Sequence, residues 1–244
     1  MKQKSWLNSV VALALFVACV MGCTRAGADM PKTDSAENKS NEPEVVVPTA
    51  ADISGDYDIV GTNEDGSPYK GALKVIKRGD VYQFRWDAGR QYDGVGVPNG
   101  NVVAVAFTEG RDGKHCGVVS YQVLAGGTLD GKWGYWGVNE MGTEKGARKS
   151  GTDLAGIYDM TGKNPNGSGY TVQLSITPRA GGYQFAWSNN SSGFGIKQGN
   201  YVSVGIGGPL CAFVAYEIKQ NGVLDGVWGV HGSDKTGTEK ATRK

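Results

Sequence analysis

The sequence predicts an all-β protein built as two tandem eight-stranded antiparallel meander barrels. Three observations carry that expectation. The 244 residues include 39 glycines, far above the usual share, and glycine at that density suits tight turns rather than long helices. No stretch sustains a helical period, whereas apolar residues alternate with period two in segment after segment. The chain also repeats itself, in register, over most of its length.

Taken in order, the chain opens with an address. Met1 to Lys4 carries two lysines, and the apolar run Val10 to Met21 is too short to span a membrane. It ends in Val20-Met21-Gly22-Cys23, which resembles the lipobox of bacterial lipoproteins. The resemblance implies a signal peptide over residues 1–22, cleavage before Cys23, and diacylation of Cys23 as a membrane anchor. An ordinary secretory signal cut near Ala26 or Ala28 is the alternative. Thr24 follows the cysteine where lipoproteins kept at the inner membrane carry Asp, so the resemblance implies the outer membrane. Residues 23–51 then read as the lipidated cysteine and a disordered tether. Lys, Asp, Glu, Asn, Ser and Pro dominate it, and without aromatics it buries too little surface to offset its ordering entropy.

The repeat begins at residue 52. Asp52-Ile53-Ser54-Gly55-Asp56-Tyr57-Asp58 matches Asp153-Leu154-Ala155-Gly156-Ile157-Tyr158-Asp159, and Tyr82-Gln83-Phe84 with Trp86 matches Tyr183-Gln184-Phe185 with Trp187. Leu129-Asp130-Gly131 and Trp133 recur as Leu224-Asp225-Gly226 and Trp228, and Gly142-Thr143-Glu144-Lys145 recurs as Gly237-Thr238-Glu239-Lys240. Each copy divides into eight strands, in the first near 55–60, 69–78, 81–86, 91–97, 101–107, 116–124, 128–136 and 142–148. Asp65-Gly66, Arg78-Gly79-Asp80, Asn99-Gly100 and Gly126-Gly127 supply hairpin turns. Closing each meander into a barrel removes exposed edges. The expectation is therefore one barrel over 52–149 and a second over 152–244, with the short polar joint Ser150-Gly151-Thr152 between them. A single sandwich or one sixteen-stranded barrel made from both copies is the alternative.

Composition removes several functions. The net charge of +1 carries no footprint for nucleic acid. His115 and His231, the only histidines, lack a metal-ligand spacing and an adjacent nucleophile motif. The Asn63-Glu64-Asp65-Gly66-Ser67 loop has a carboxylate-free counterpart in Asn164-Pro165-Asn166-Gly167-Ser168, so a tight turn explains both better than calcium. The carboxylates present in both copies include Glu144 and Glu239, placed on the last strand at a barrel mouth or a ladder edge. A paired-carboxylate hydrolase would need two such groups to converge. No catalytic residue, metal or cofactor is assigned.

The recurring aromatics carry the candidate site. By parity, Tyr57, Tyr69, Tyr82, Trp86 and Trp133, with Tyr158, Tyr170, Tyr183, Trp187 and Trp228, point inward. One reading has them fill the barrels as core; the other has them line a cup for a sugar, a lipid fragment or a peptide. Two readings also stand for Cys116 and Cys211. Parity turns both outward from equivalent strands, so they either remain separate thiols or meet as a disulfide if the barrels pack about a pseudo-two-fold axis there.

The run from Gly55-Asp56-Tyr57 through Gly61-Thr62-Asn63-Glu64-Asp65-Gly66-Ser67-Pro68-Tyr69-Lys70-Gly71, with the Leu-x-Gly-x-Trp and Gly-Thr-Glu endings of both copies, resembles a family of small exported bacterial proteins. That family often carries the label "fibronectin-binding protein", which implies adhesion to host extracellular matrix. The second copy departs from the pattern at Pro165, Asn166 and Val172. Gly55-x-Tyr57 and Gly156-x-Tyr158 are similar to the Gly-x-Trp start of lipocalins and avidins, a likeness of fold only. Together these readings imply an outer-membrane-anchored, non-enzymatic binding or adhesion lipoprotein. Its partners would be the membrane through its lipid and either a matrix protein or a small envelope ligand. A structural envelope lipoprotein with fully packed barrels is the alternative.

Overall fold

The computed structural model describes residues 52–244; the expected signal peptide, Cys23 and the expected tether lie outside the described residues. Sixteen strands follow one another. The first repeat supplies β1 (Gly55–Thr62), β2 (Pro68–Arg78), β3 (Val81–Asp87), β4 (Gln91–Asn99), β5 (Val102–Glu109), β6 (Gly117–Val123), β7 (Leu129–Tyr135) and β8 (Gly142–Thr152). The second supplies β9 (Ala155–Lys163), β10 (Gly169–Arg179), β11 (Gly182–Trp187), β12 (Ser192–Gln198), β13 (Tyr201–Ile206), β14 (Ala212–Ile218), β15 (Leu224–Gly229) and β16 (Gly237–Arg243). They form two closed, antiparallel, eight-stranded barrels.

The barrels do not coincide with the repeats. Barrel one is β1 to β5 closed by β14 to β16, and barrel two is the uninterrupted meander β6 to β13. Each repeat therefore gives five strands to one barrel and three to the other. Barrel two sits as an insertion between β5 and β14. This corrects the boundaries 52–149 and 152–244, and the supposed joint at Ser150-Gly151-Thr152 is the arm of a hairpin. Only Asp153 and Leu154 separate β8 from β9, Asp153 turns at φ 52°, and the two strands pair from Thr152↔Ala155 to Thr143↔Lys163. A link that short makes neighbouring antiparallel strands. Once β8 is held against β9, it cannot also close on β1. Instead β16 does so, from Tyr57↔Arg243 to Thr62↔Thr238.

The two chain crossings between barrels are clasped together. They run from β5 to β6 and from β13 to β14, and Cys116 and Cys211 join them in a disulfide with Cα atoms 5.7 Å apart. Around the clasp the barrels pack outer face to outer face. Val95, Val97, Ala104 and Ala106 of barrel one meet Cys116, Val118 and Cys211, and Phe213 and Ala215 meet Phe194 and Ile196 of barrel two. Asn99 donates to the Ser120 carbonyl across this seam at 3.1 Å. The inward parity is as the alternation implies: Phe84, Val103, Val105, Val119 and Tyr121 are fully buried within the barrels.

Candidate functional site

One end of each barrel is closed and the other is open. At the closed end of barrel one the Tyr57 hydroxyl donates to the Ile53 carbonyl at 2.7 Å, while Arg243 donates to the Tyr57 oxygen and the Asp52 carbonyl, both at 3.0 Å. The guanidinium also lies over the Tyr57 ring, 5.4 Å from its centroid. Barrel two repeats the plug, with Tyr158 donating to the Leu154 carbonyl at 2.9 Å and Arg148 to the Asp153 carbonyl.

The open ends hold the chemistry. In barrel one Glu239 lies on β16 and is 5% exposed. Its Oε1 accepts from the Trp86 indole at 3.0 Å and from the Tyr216 hydroxyl, and its Oε2 accepts from the Tyr69 hydroxyl at 2.9 Å. In barrel two Glu144 on β8 is 4% exposed. It accepts from the Tyr121 hydroxyl and, at 3.0 Å, from the Tyr170 hydroxyl, whose oxygen accepts from the Trp133 indole at 2.9 Å. No salt bridge reaches either carboxylate among the described residues. Burial pushes both carboxyls above the ordinary range, partly opposed by their tyrosine donors. Burial, then the adjacent carboxylate, pushes Tyr69, Tyr121, Tyr170 and Tyr216 up as well, so they remain protonated donors.

Local sequence explains why a glutamate can sit at such depth. The last strand of each repeat turns Gly142, Glu144 and Gly146, or Gly237, Glu239 and Ala241, inward. The flanking small residues leave room for large partners from neighbouring strands. A Cβ on Gly142 would stand 2.1 Å from the Trp133 ring, and one on Gly237 would stand 2.3 Å from Trp228 and 2.4 Å from the Thr62 carbonyl. The Gly-Thr-Glu and Leu-x-Gly-x-Trp motifs are therefore two halves of one packing unit.

Above each carboxylate lies an open cavity, about 440 Å³ in barrel one and about 390 Å³ in barrel two. Neither barrel is filled by its own side chains. Tyr69, Trp86 and Trp228 line the first cup, and Trp133, Tyr170 and Trp187 the second, so six of the ten aromatics expected to line a site do so. Tyr57 and Tyr158 do not; their hydroxyls belong to the plugs at the far ends. Tyr82 reaches Asp52, also at the closed end, and Tyr183 packs into the core of barrel two. Parity places these four inside, but their height along the strand keeps them from the cups. Sequence reasoning placed Glu144 and Glu239 at a barrel mouth or a ladder edge without giving them a role, and it left Tyr121 and Tyr216 out of the site. The available signal was Glu in an inward position flanked by small residues.

No protein-family model and no curated protein matches this chain.

Proposed function

We propose that the chain is a non-enzymatic binding lipoprotein of the bacterial envelope, each of whose barrels takes one small amphiphilic ligand in its open cup. The observation that carries this reading is the buried glutamate at each cup floor, fixed by two tyrosine donors, with Trp86 as a third in barrel one, beneath an aromatic-walled cavity. Concave, mostly apolar sites with a few convergent polar groups are the usual form of small-ligand pockets. Unfilled space above the carboxylates supports binding over the alternative of fully packed, purely structural barrels. A single deep carboxylate in each barrel favours recognition over hydrolysis by a carboxylate pair.

Cup tryptophans provide the assay. A small amphiphile entering the cups should change the emission of Trp86, Trp228, Trp133 and Trp187 and saturate at two equivalents per chain. Tyr69→Phe and Tyr170→Phe should each weaken one of the two phases. Saturable binding unaffected by either variant would refute the cups as the site.

The envelope address rests on the lipobox resemblance at Cys23, with the outer membrane as destination. Cys23→Ser should abolish metabolic lipid labelling and either release the protein or leave the precursor uncleaved. Undiminished labelling of that variant would refute the anchor.

A further inference from the structure

The two cups share a floor but differ at the mouth. In barrel two the polar groups at the rim are Asn164, Asn189 and Ser191, all neutral. In barrel one Glu64 and Glu109 stand at the rim, and Tyr92 and Phe107 add two aromatic walls. Glu109 is held by Arg90 at 3.0 Å, outside the cup. Glu64 has no such partner: its Oε1 is shielded from solvent and accepts no hydrogen bond.

We propose that cup one is a site for a small organic ammonium cation, whereas cup two takes an uncharged ligand. This rests on the reading of the cups as binding sites. Two features of cup one converge on that ligand. The Glu239 carboxylate, bonded only by neutral donors, and Glu64 leave negative charge with no compensating cation in the lining. The faces of Trp86, Trp228, Tyr69, Tyr92 and Phe107 supply the electron-rich walls that attract ammonium groups, most strongly where water is excluded. Cup two has one carboxylate and a neutral rim, so it lacks the second negative charge that would select such a cation.

The test compares choline with its uncharged carbon isostere, in which a tert-butyl group replaces the trimethylammonium, by calorimetric titration of the full chain in detergent micelles. Choline should bind at one site per chain, about tenfold or more tighter than the isostere, the range expected of a desolvated cation–aromatic site. Glu64→Gln, a rim change away from the packed core, should weaken choline about tenfold and leave the isostere unchanged. Glu140→Gln, an exposed carboxylate outside both cups, should alter neither. Equal binding of choline and isostere, or loss of choline binding in Glu140→Gln, would overturn the charge assignment while the cups remain binding sites. Failure of both probes, together with no tryptophan response to any neutral amphiphile, would overturn the assignment and the binding reading together.

Discussion

Cutting the Cys116–Cys211 bridge should weaken barrel one far more than barrel two. The bridge closes a loop of 95 residues, and that loop contains every strand of barrel two. While barrel two is folded, its own Gly117↔Ile206 pairing holds the two crossings together, and the bridge is redundant. When barrel two unfolds, β5 and β14 must find each other across a long coil unless the sulfurs still join them. In the chain-entropy treatment, closing a loop of that size costs about 4.7 kcal/mol. Barrel one should therefore outlast barrel two in urea when the bridge is intact. Without it, barrel one should lose up to about 4.7 kcal/mol in the state where barrel two has opened. Hydrogen exchange followed by mass spectrometry along a urea series, on the wild type and on Cys116→Ser/Cys211→Ser, reads the two barrels separately. Peptides from β2 to β5 should lose their independent protection in the variant and open together with β6 to β13. Unchanged separation of the two transitions, or selective loss in β6 to β13, would refute the reasoning.

Other consequences follow from the same architecture. Residues 110–210 alone should yield a folded monomeric barrel containing Glu144 and its partners, checked by dispersed NMR spectra; an unfolded fragment would contradict the insertion topology. Gly237→Ala should destabilise barrel one by about 1–3 kcal/mol, the usual cost of overpacking, because its Cβ meets both Trp228 and the Thr62 carbonyl; an unchanged urea midpoint would show that Trp228 moves freely. The floor carboxyls set a pH dependence. Both are raised above the ordinary 4.5 by burial, so their contribution is complete below that value and is lost as pH rises through the raised one. Glu239→Gln, compared with wild type by thermal denaturation, should therefore look progressively more favourable as pH climbs from 4 to 8, and a difference constant across that range would exclude the linkage.

Much of this was legible in the sequence, for identifiable reasons. In the first repeat the eight expected strands fall within a few residues of the observed ones, because period-two alternation and glycine turns act locally. The inward faces were equally readable: Tyr82, Phe84 and Trp86 share one side of β3 whatever that strand pairs with. Strand partnership was not readable in the same way. Alternation says which face of β8 is buried but not whether β1 or β9 lies beside it, and the repeats make both edges nearly identical. The deciding feature was the two-residue link Asp153-Leu154, a hairpin length placed where a domain joint was expected. The site was half legible. Tryptophan and tyrosine positions follow from parity, whereas a buried glutamate contradicts the ordinary preference of carboxylates for water, and its burial becomes visible only once its donors are seen to surround it.

Strand exchange also governs how the two cups are inherited. The floor of cup one, Glu239 with Tyr216 and Trp228, is written in the second repeat, while its walls Tyr69 and Trp86 are written in the first. Cup two is the mirror case, with Glu144, Tyr121 and Trp133 from the first repeat facing Tyr170 and Trp187 from the second. A duplicated gene is normally free to let one copy drift while the other keeps the original task. Here each copy supplies residues to both pockets, so neither copy can drift as a whole without altering both cups, and a preference confined to one cup must arise at single positions such as Glu64, which stands opposite Pro165 in the other copy.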